Sequence, residues 1–257
     1  MKSIRPGEPH PWSIAHRGSS ATHPENTHAA FDEALRTAID GIELDVQETR
    51  DGVPVIHHDR SLRKLGGGGR RVASVDLREL RGLDAGTWFD PRFRDERIPT
   101  LDEVLDRYGT RTLLLIEIKV RETGAQAAAR HDELARKTVR AILDRRLASS
   151  VLLLCFDENV LATVRESDAS LRTVLNLARL PRLGATTWTR LDPLFALSVD
   201  VRVLTERFVR EAHAHGKPVF TYTCNTPRTA LAALRAGADA LMSDRPAWLI
   251  EFVAAHK

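Results

Sequence analysis

Short apolar runs alternate with helical patterns along most of the 257-residue chain. The runs predict eight strands, at residues 13–16, 42–46, 113–118, 151–155, 171–175, 196–199, 218–222 and 240–243. Strands that alternate with helices pack as a parallel sheet covered by helices. The pattern therefore predicts an α/β fold, a TIM-like (β/α)8 barrel, with a doubly wound open sheet as the alternative.

Several of the intervening helices carry recognisable end signals. A threonine or asparagine before an apolar periodic segment caps a helix, and glycine often ends one. One predicted helix begins at Asn26 or Thr27, and a second spans 127–145. A third runs from Thr205 to near Gly216, a fourth from Thr226-Pro227 to Gly237, and the last follows Pro246. These boundaries support the alternation.

Residues 59–98 interrupt the alternation after the second predicted strand. They contain four consecutive glycines at 66–69, many arginines and the pair Trp88-Phe89. We predict an insertion of loops with a short hairpin or helix. The glycine run is not a phosphate loop, because no lysine-serine or lysine-threonine pair follows it. The whole chain, 1–257, is predicted to be one barrel domain with this insertion.

Composition narrows the class of protein. Hydrophobic residues make up 42% of the chain, enough for a full core, and the net charge is +3. The arginines are scattered among acids, which is typical of a solvated surface and not of a nucleic-acid-binding arm. No apolar run approaches the ~20 residues of a membrane span, and the start lacks the apolar core of a signal peptide. We therefore expect a cytoplasmic protein; the sequence indicates no oligomeric state.

Two predicted strands carry charged residues where a buried strand should carry none. Because side chains alternate between the two faces of a strand, Glu43 and Asp45 share one face. On the other strand Glu117 and Lys119 share a face in the same way. Buried carboxylates are costly unless they are paired or bind a metal. The pattern therefore predicts a functional site.

Polar residues also follow the predicted strand ends. His16 and Arg17 end the first strand, and His58 follows the second, so a barrel would bring them to the mouth that holds active sites. Two histidines can act as acid and base, and Arg17 and Lys119 can hold a phosphate. The carboxylates of Glu43, Asp45 and Glu117 suit Mg²⁺, Ca²⁺ or Mn²⁺. Together they predict hydrolysis of a phosphate ester.

An ordered set of short motifs resembles the glycerophosphodiester phosphodiesterase family. The motifs are His16-Arg17-Gly18, Pro24-Glu25-Asn26-Thr27, Gly41-Ile42-Glu43-Leu44-Asp45-Val46, His58-Asp59, Glu117-Ile118-Lys119 and Ser243-Asp244-Arg245-Pro246. The resemblance covers residues from about 14 to 250. It implies a TIM-like barrel that uses a divalent metal, Mg²⁺ or Ca²⁺ before Mn²⁺. The implied reaction converts small-molecule glycerophosphodiesters, such as glycerophosphocholine or glycerophosphoethanolamine, to glycerol 3-phosphate and an alcohol.

The resemblance also implies roles for individual residues. His16 and His58 would be the acid/base pair, and Arg17 and Lys119 would contact phosphate. The implied metal ligands are Glu43, Asp45 and Glu117. The sequence departs from the family pattern at Ser61-Leu62-Arg63-Lys64-Leu65, at Cys155 and at Tyr222, which puts substrate preference in question. Phe156 and Tyr222 are candidates for the substrate pocket, with packing at its rim as the alternative.

Three other functions remain as alternatives. Lysophospholipids resemble glycerophosphodiesters with an acyl tail, and their cleavage would need an apolar groove from the 59–98 insertion. A barrel kept only as a binding module would have lost one of the key side chains, and all are present. A nuclease would need a basic track with interleaved aromatic residues.

Overall fold

The computed structural model describes residues 4–8, 10–121 and 125–256, and its parallel strands close into a barrel. The strands are β1 (Trp12–His16), β2 (Gly41–Glu48), β3 (Pro54–Ile56), β4 (Leu113–Ile118), β5 (Val151–Cys155), β6 (Arg172–Leu177), β7 (Ala196–Asp200), β8 (Val219–Tyr222) and β9 (Ala240–Ser243). Strand β1 pairs in parallel with both β2 and β9, which closes the ring. The predicted (β/α)8 barrel is confirmed, and the open sheet is wrong.

Helices follow the strands and cover the outside of the ring, except for the one at Leu77–Arg81, which belongs to the insertion. They are α1 (His28–Ala34), α2 (Leu77–Arg81), α3 (Leu101–Tyr108), α4 (Ala125–Asp144), α5 (Glu158–Ser167), α6 (Ala185–Leu191), α7 (Glu206–Ala214), α8 (Pro227–Ala236) and α9 (Pro246–Ala255). Thr27, not Asn26, caps α1, and Thr205 and Thr226 cap α7 and α8 as predicted. Gly237 ends α8 with a left-handed φ of 82°. None of the described helices is both long and apolar enough to cross a membrane.

A ninth strand, β3, was not among the predicted strands. It pairs antiparallel with the end of β2, so that Val46 lies opposite Ile56, and β2 runs on to Glu48. The turn between them holds Gly52 at a φ of 81°, a conformation that glycine adopts without strain. The apolar run before Ile56 is too short for its period to separate a strand from a loop. This hairpin leads the chain from the barrel into the insertion at residues 59–98.

The insertion has its own small core. It contains α2 and short 3-10 turns at Arg63–Leu65, Val72–Ser74 and Pro91–Phe93. Its buried apolar side chains pack together with Val55 of β3 and form a cluster of Val55, Leu62, Leu65, Val72, Val75, Leu80, Ala85 and Ile98. The prediction of loops with a short helix agrees with this structure. The cluster holds the segment against β3 and leaves its polar residues for the barrel mouth.

The interior of the barrel changes from apolar to polar along each strand. The lower part is filled by apolar residues that pack together: Trp12, Ile14, Leu113, Leu115, Leu152, Leu154, Val174, Phe220 and Met242. Two residues further along the same faces come His16 after Ile14, Glu117 after Leu115 and Asn176 after Val174. Polar side chains therefore gather at the carboxyl ends of the strands, where barrel enzymes have their active sites.

Candidate active site

Three buried carboxylates meet at the mouth of the barrel. One oxygen from each of Glu43, Asp45 and Glu117 lies within 4.8 Å of the other two. The sheet register explains this closeness, because Asp45 on β2 lies beside Glu117 on β4. All three side chains are buried. The strands therefore hold the acids together before any ligand binds.

Asp45 is surrounded by cations and hydrogen-bond donors. The Lys119 Nζ lies 2.8 Å from Asp45 Oδ1 and 2.5 Å from Glu117 Oε1. The Arg17 Nε lies 3.3 Å from Asp45 Oδ2, and Asn26 Nδ2 donates a 2.8 Å hydrogen bond to the same oxygen. Burial opposes ionisation, but Lys119 and Arg17 outweigh it and hold the pKa of Asp45 well below its usual range.

Glu43 has weaker compensation, although the backbone N–H of Arg17 donates a 3.2 Å hydrogen bond to its Oε2. Its nearest ionisable partner of opposite sign is His16, whose Nε2 lies 3.8 Å from Glu43 Oε2. Burial and the charge of Asp45 raise the pKa of Glu43 to about 8. Three hard oxygen donors with excess negative charge fit a divalent cation such as Mg²⁺ or Ca²⁺. The chain thus has an acidic group that can bind a metal ion.

The side chain of His16 is held by the end of the last strand. Its Nδ1 donates to Oδ1 of Asp244 at 2.6 Å, and Asn225 Nδ2 donates to the other oxygen of Asp244 at 2.5 Å. Burial works against the imidazolium, but Glu43 and Asp244 prevail and raise the pKa of His16. The hydrogen bond at Nδ1 leaves Nε2 pointing toward the carboxylates.

His58 is oriented in a similar way by its neighbour. Its Nδ1 lies 3.0 Å from Oδ1 of Asp59, and its carbonyl oxygen accepts a hydrogen bond from Arg121. The adjacent His57 is buried, and its backbone N–H donates to the carbonyl of Asp45. Burial lowers the pKa of His57. The two histidines therefore face different surroundings, and only His58 reaches the cavity.

A cavity of about 140 Å³ brings most of the predicted site residues together. Half of its lining comes from the adjacent strands β1, β2 and β4 or the loops after them, and half from the other strands. The first half is His16, Arg17, Glu43, His58, Glu117 and Lys119, and the second is Leu154, Phe156, Asn176, Tyr222, Thr223 and Met242. Asp45 lies behind this surface and contacts it through Lys119. The rings of Phe156 and Tyr222 meet edge to face at 6.3 Å between centroids. The cavity is therefore charged on one wall and largely uncharged on the other.

Sequence reasoning missed three polar residues that support the site. Asn176 donates to Glu117 Oε2 at 3.2 Å, and Asp244 and Asn225 hold His16. Asn26, one of the two predicted cap candidates for α1, instead donates to Asp45, and Thr27 provides the cap. Asn176 and Asp244 both come at strand ends, two residues after a buried interior position. That regularity was the available signal.

The turn that carries Arg17 into the site needs glycine at the next position. Arg17 has a φ of 58° and Gly18 a φ of 81°, and an added Cβ on Gly18 would lie 2.7 Å from the backbone of Ala30. We expect Gly18→Ala to destabilise the protein by about 2 kcal/mol or more in urea unfolding. Gly66→Ala is the control, since Gly66 has a φ of 77° but no neighbouring atom within 4 Å. An equal loss in both variants would contradict the crowding argument.

The closed barrel, with polar groups gathered at the carboxyl ends of its strands, has the architecture of a TIM-barrel enzyme. The chain belongs to the glycerophosphoryl diester phosphodiesterase family, whose model matches residues 16–248. The predicted family and enzyme class are therefore confirmed.

Individual relatives match over nearly their full length. YhdW of Bacillus subtilis is 34% identical over 243 residues, which cover 93% of this chain and 96% of YhdW. The glycerophosphodiester phosphodiesterase of Caldanaerobacter subterraneus subsp. tengcongensis is 32% identical over 245 residues, with the same two coverages. A phosphodiesterase from Oleispira antarctica, solved in complex with the product sn-glycerol-3-phosphate, superposes with a TM-score of 0.80 at 29% identity. That match covers 95% of this chain and 97% of the other.

Proposed function

We propose that this protein hydrolyses glycerophosphodiesters, such as glycerophosphocholine or glycerophosphoethanolamine, to glycerol 3-phosphate and an alcohol. The cavity carries the proposal, because two histidines, two cations and an acidic group line or adjoin the same small space. The product bound by the Oleispira antarctica relative supports the same reaction.

In this proposal Glu43, Asp45 and Glu117 would hold the divalent ion, and Arg17 and Lys119 would contact the phosphate. A bound Mg²⁺, Ca²⁺ or Mn²⁺ would supply Lewis-acid stabilisation of the charge on the phosphoryl oxygens. Lys119 contacts both Asp45 and Glu117 and lines the cavity, so its ammonium lies beside the proposed metal ligands, where it could contact a bound phosphate. Arg17 adds a planar guanidinium at the same wall.

In the proposed reaction the two histidines would transfer the protons. Each has Nδ1 beside an aspartate, Asp244 for His16 and Asp59 for His58. A carboxylate beside Nδ1 favours the tautomer that carries its proton on Nδ1. Nε2 of each histidine is therefore available to the reacting groups. One Nε2 would accept the proton of the nucleophile, either a water molecule or the glycerol hydroxyl of the substrate. The other would donate a proton to the departing alkoxide.

The first test is turnover by metal-stripped protein of glycerophosphocholine, measured by a coupled glycerol 3-phosphate assay. Mg²⁺, Ca²⁺ and Mn²⁺ would be added in turn, and we expect at least one to restore activity. His16→Ala and His58→Ala should each lower kcat by about 10²–10⁴, the usual contribution of a general acid or base. His256→Ala, at the exposed end of α9, is the control. Full activity in either active-site variant, or no turnover with any metal, would contradict the proposal.

The exposed surface supports small substrates over lysophospholipids. In the described part of the chain the only large apolar side chains that are exposed are Trp88 and Phe156. Most other apolar residues of the insertion pack in its own core, and Phe89 and Phe93 pack against each other, so few remain to line a groove for an acyl chain. We therefore expect faster turnover of glycerophosphocholine than of lysophosphatidylcholine. Equal rates would favour the lysophospholipase D alternative.

Residence in the cytoplasm stays a prediction.

A further inference from the structure

Lys64 of the insertion lies between two carboxylates at the edge of the cavity. Its Nζ lies 2.9 Å from Glu25 Oε1 and 3.7 Å from Asp59 Oδ2. The same ammonium sits 3.9 Å above the ring centroid of Trp88, a cation–π contact. Lys64 is thus held from three directions, and its side chain is only 27% exposed.

Each carboxylate beside Lys64 uses its other oxygen to hold a proposed active-site residue. Glu25 Oε2 accepts a 3.1 Å hydrogen bond from Arg17 Nη1. Asp59 Oδ1 lies 3.0 Å from Nδ1 of His58. Two short chains of contacts therefore start at one ammonium. One ends at the guanidinium of Arg17, a proposed phosphate ligand. The other ends at the imidazole of His58, a member of the proposed acid/base pair.

The cluster of Glu25, His58 and Asp59 does not need a metal ion to balance its charge, although its geometry would allow one to bind. Ligand atoms of Glu25, His58 and Asp59 lie within 4.8 Å of one another. The ammonium of Lys64 and the guanidinium of Arg17 already supply positive charge to Glu25, so that despite burial its pKa is lowered. Lys64 provides the fixed cation around which these groups are arranged.

We propose that Lys64 is a positioning residue that sets both the phosphate-binding guanidinium of Arg17 and the imidazole of His58. The inference rests on the proposed function for what those two residues do. It assigns the insertion a part in the reaction, because Lys64 and Trp88 both belong to residues 59–98. Without the Lys64 ammonium, Glu25 has one fewer cationic partner. Asp59 loses the positive charge that lies beside its Oδ2.

Lys64→Met tests this role, because methionine keeps the apolar stem but removes the charge. We expect kcat/KM to fall about 10–100-fold, the range seen when a group that orients active-site residues is lost. KM should rise because Arg17 would no longer be held for phosphate binding. The value of kcat should fall because His58 would no longer be held for proton transfer. Lys64→Arg should recover most of the activity, since a guanidinium can pair with carboxylates and stack on Trp88. Arg63→Met, at the exposed neighbouring position, is the matched control and should retain wild-type kinetics.

Double-mutant cycles separate positioning from general stability. Lys64→Met would be combined with Glu25→Gln and with Asp59→Asn, and kcat/KM measured for each variant with its melting temperature. We expect each pair to cost much less than the product of its single effects, because the two residues act along one chain of contacts. Fully multiplicative losses in both cycles, or unchanged kinetics in Lys64→Met, would overturn the proposal.

Crystal structures of the wild type and of Lys64→Met give a readout that needs no turnover. The proposal expects displaced side chains of Arg17 and His58 in the variant, with the barrel unchanged. Unmoved Arg17 and His58 would overturn it even if the enzyme proves active. If the wild type hydrolyses no glycerophosphodiester, the proposed function fails, but the structures still decide whether Lys64 positions these residues. Should Lys64→Met fail to fold, Lys64→Gln serves in its place.

Discussion

Replacing Glu43 with glutamine is expected to abolish turnover and at the same time to stabilise the metal-free protein. Glu43 is buried against Asp45, and its pKa of about 8 shows that its negative charge is unfavourable there. Glutamine keeps the shape and removes the charge. It also removes a proposed ligand of the catalytic ion, so turnover should fall by on the order of 10³ or more. Stability and activity would thus change in opposite directions.

The effect on stability should depend on pH. The folded protein holds a proton on Glu43 up to about pH 8, whereas a glutamate in its usual state releases it near 4.5. This group therefore lowers the wild-type free energy of unfolding as pH rises between those values, and the loss is complete above the folded pKa. Glu43→Gln lacks this loss, so its advantage should grow from pH 5 to pH 8.5.

Urea unfolding of chelator-treated proteins measures this difference. We expect Glu43→Gln to exceed the wild type by about 1–3 kcal/mol at pH 8.5 and by less at pH 5. Glu133→Gln, an exposed position on α4, controls for a general effect of removing a glutamate. A variant that is less stable than the wild type at pH 8.5, or that retains turnover, would refute the account of Glu43.

Replacing Asp45 with asparagine should have the opposite effect on stability. Asp45 binds Lys119 at 2.8 Å and also contacts Arg17 and Asn26. Removing its charge leaves buried cations without their main partner, which typically costs about 3–5 kcal/mol. Turnover should be lost as well, because a proposed ion ligand and the support of Lys119 disappear together.

The two variants form their own comparison, since both are isosteric amides two residues apart on β2. Unfolding at pH 8.5 should place Asp45→Asn below the wild type and Glu43→Gln above it. Changes of the same sign in both would show that the charge balance described for the cluster is wrong. The activity assay alone does not discriminate, because both variants should be inactive.

Much of this site could be predicted from local pattern. The period of two on a strand put Glu43 and Asp45 on one face, and the same rule paired Glu117 with Lys119. Alternation of strands and helices predicted the barrel, and capping signals placed the starts of α7 and α8 at Thr205 and Thr226. Each of these inferences depends on neighbours within a few residues, where sequence and geometry are tightly linked.

The strand-end positions of Asn176 and Asp244 are visible in the sequence, but their partners could not be predicted, because those partners lie far away along the chain. His16 and Asp244 are 228 positions apart, and the sequence gives no sign of which strand end will face which. Asn176 looks like an ordinary polar residue until the barrel closes around Glu117. Lys64 depended on the path of a loop, and loops lack the period that makes strands and helices readable. Strand β3 was too short to show a period.

The change from apolar to polar along the barrel interior separates two selective pressures on the same strands. Ile14 and Leu115 pack in the apolar lower layer, whereas His16 and Glu117, two residues later, line the cavity that we propose as the active site. An evolving population can therefore exchange reactive groups at the rim while the lower layer preserves a foldable scaffold. For protein engineering, the same division recommends confining libraries to the last interior position of each strand and to the loops that follow.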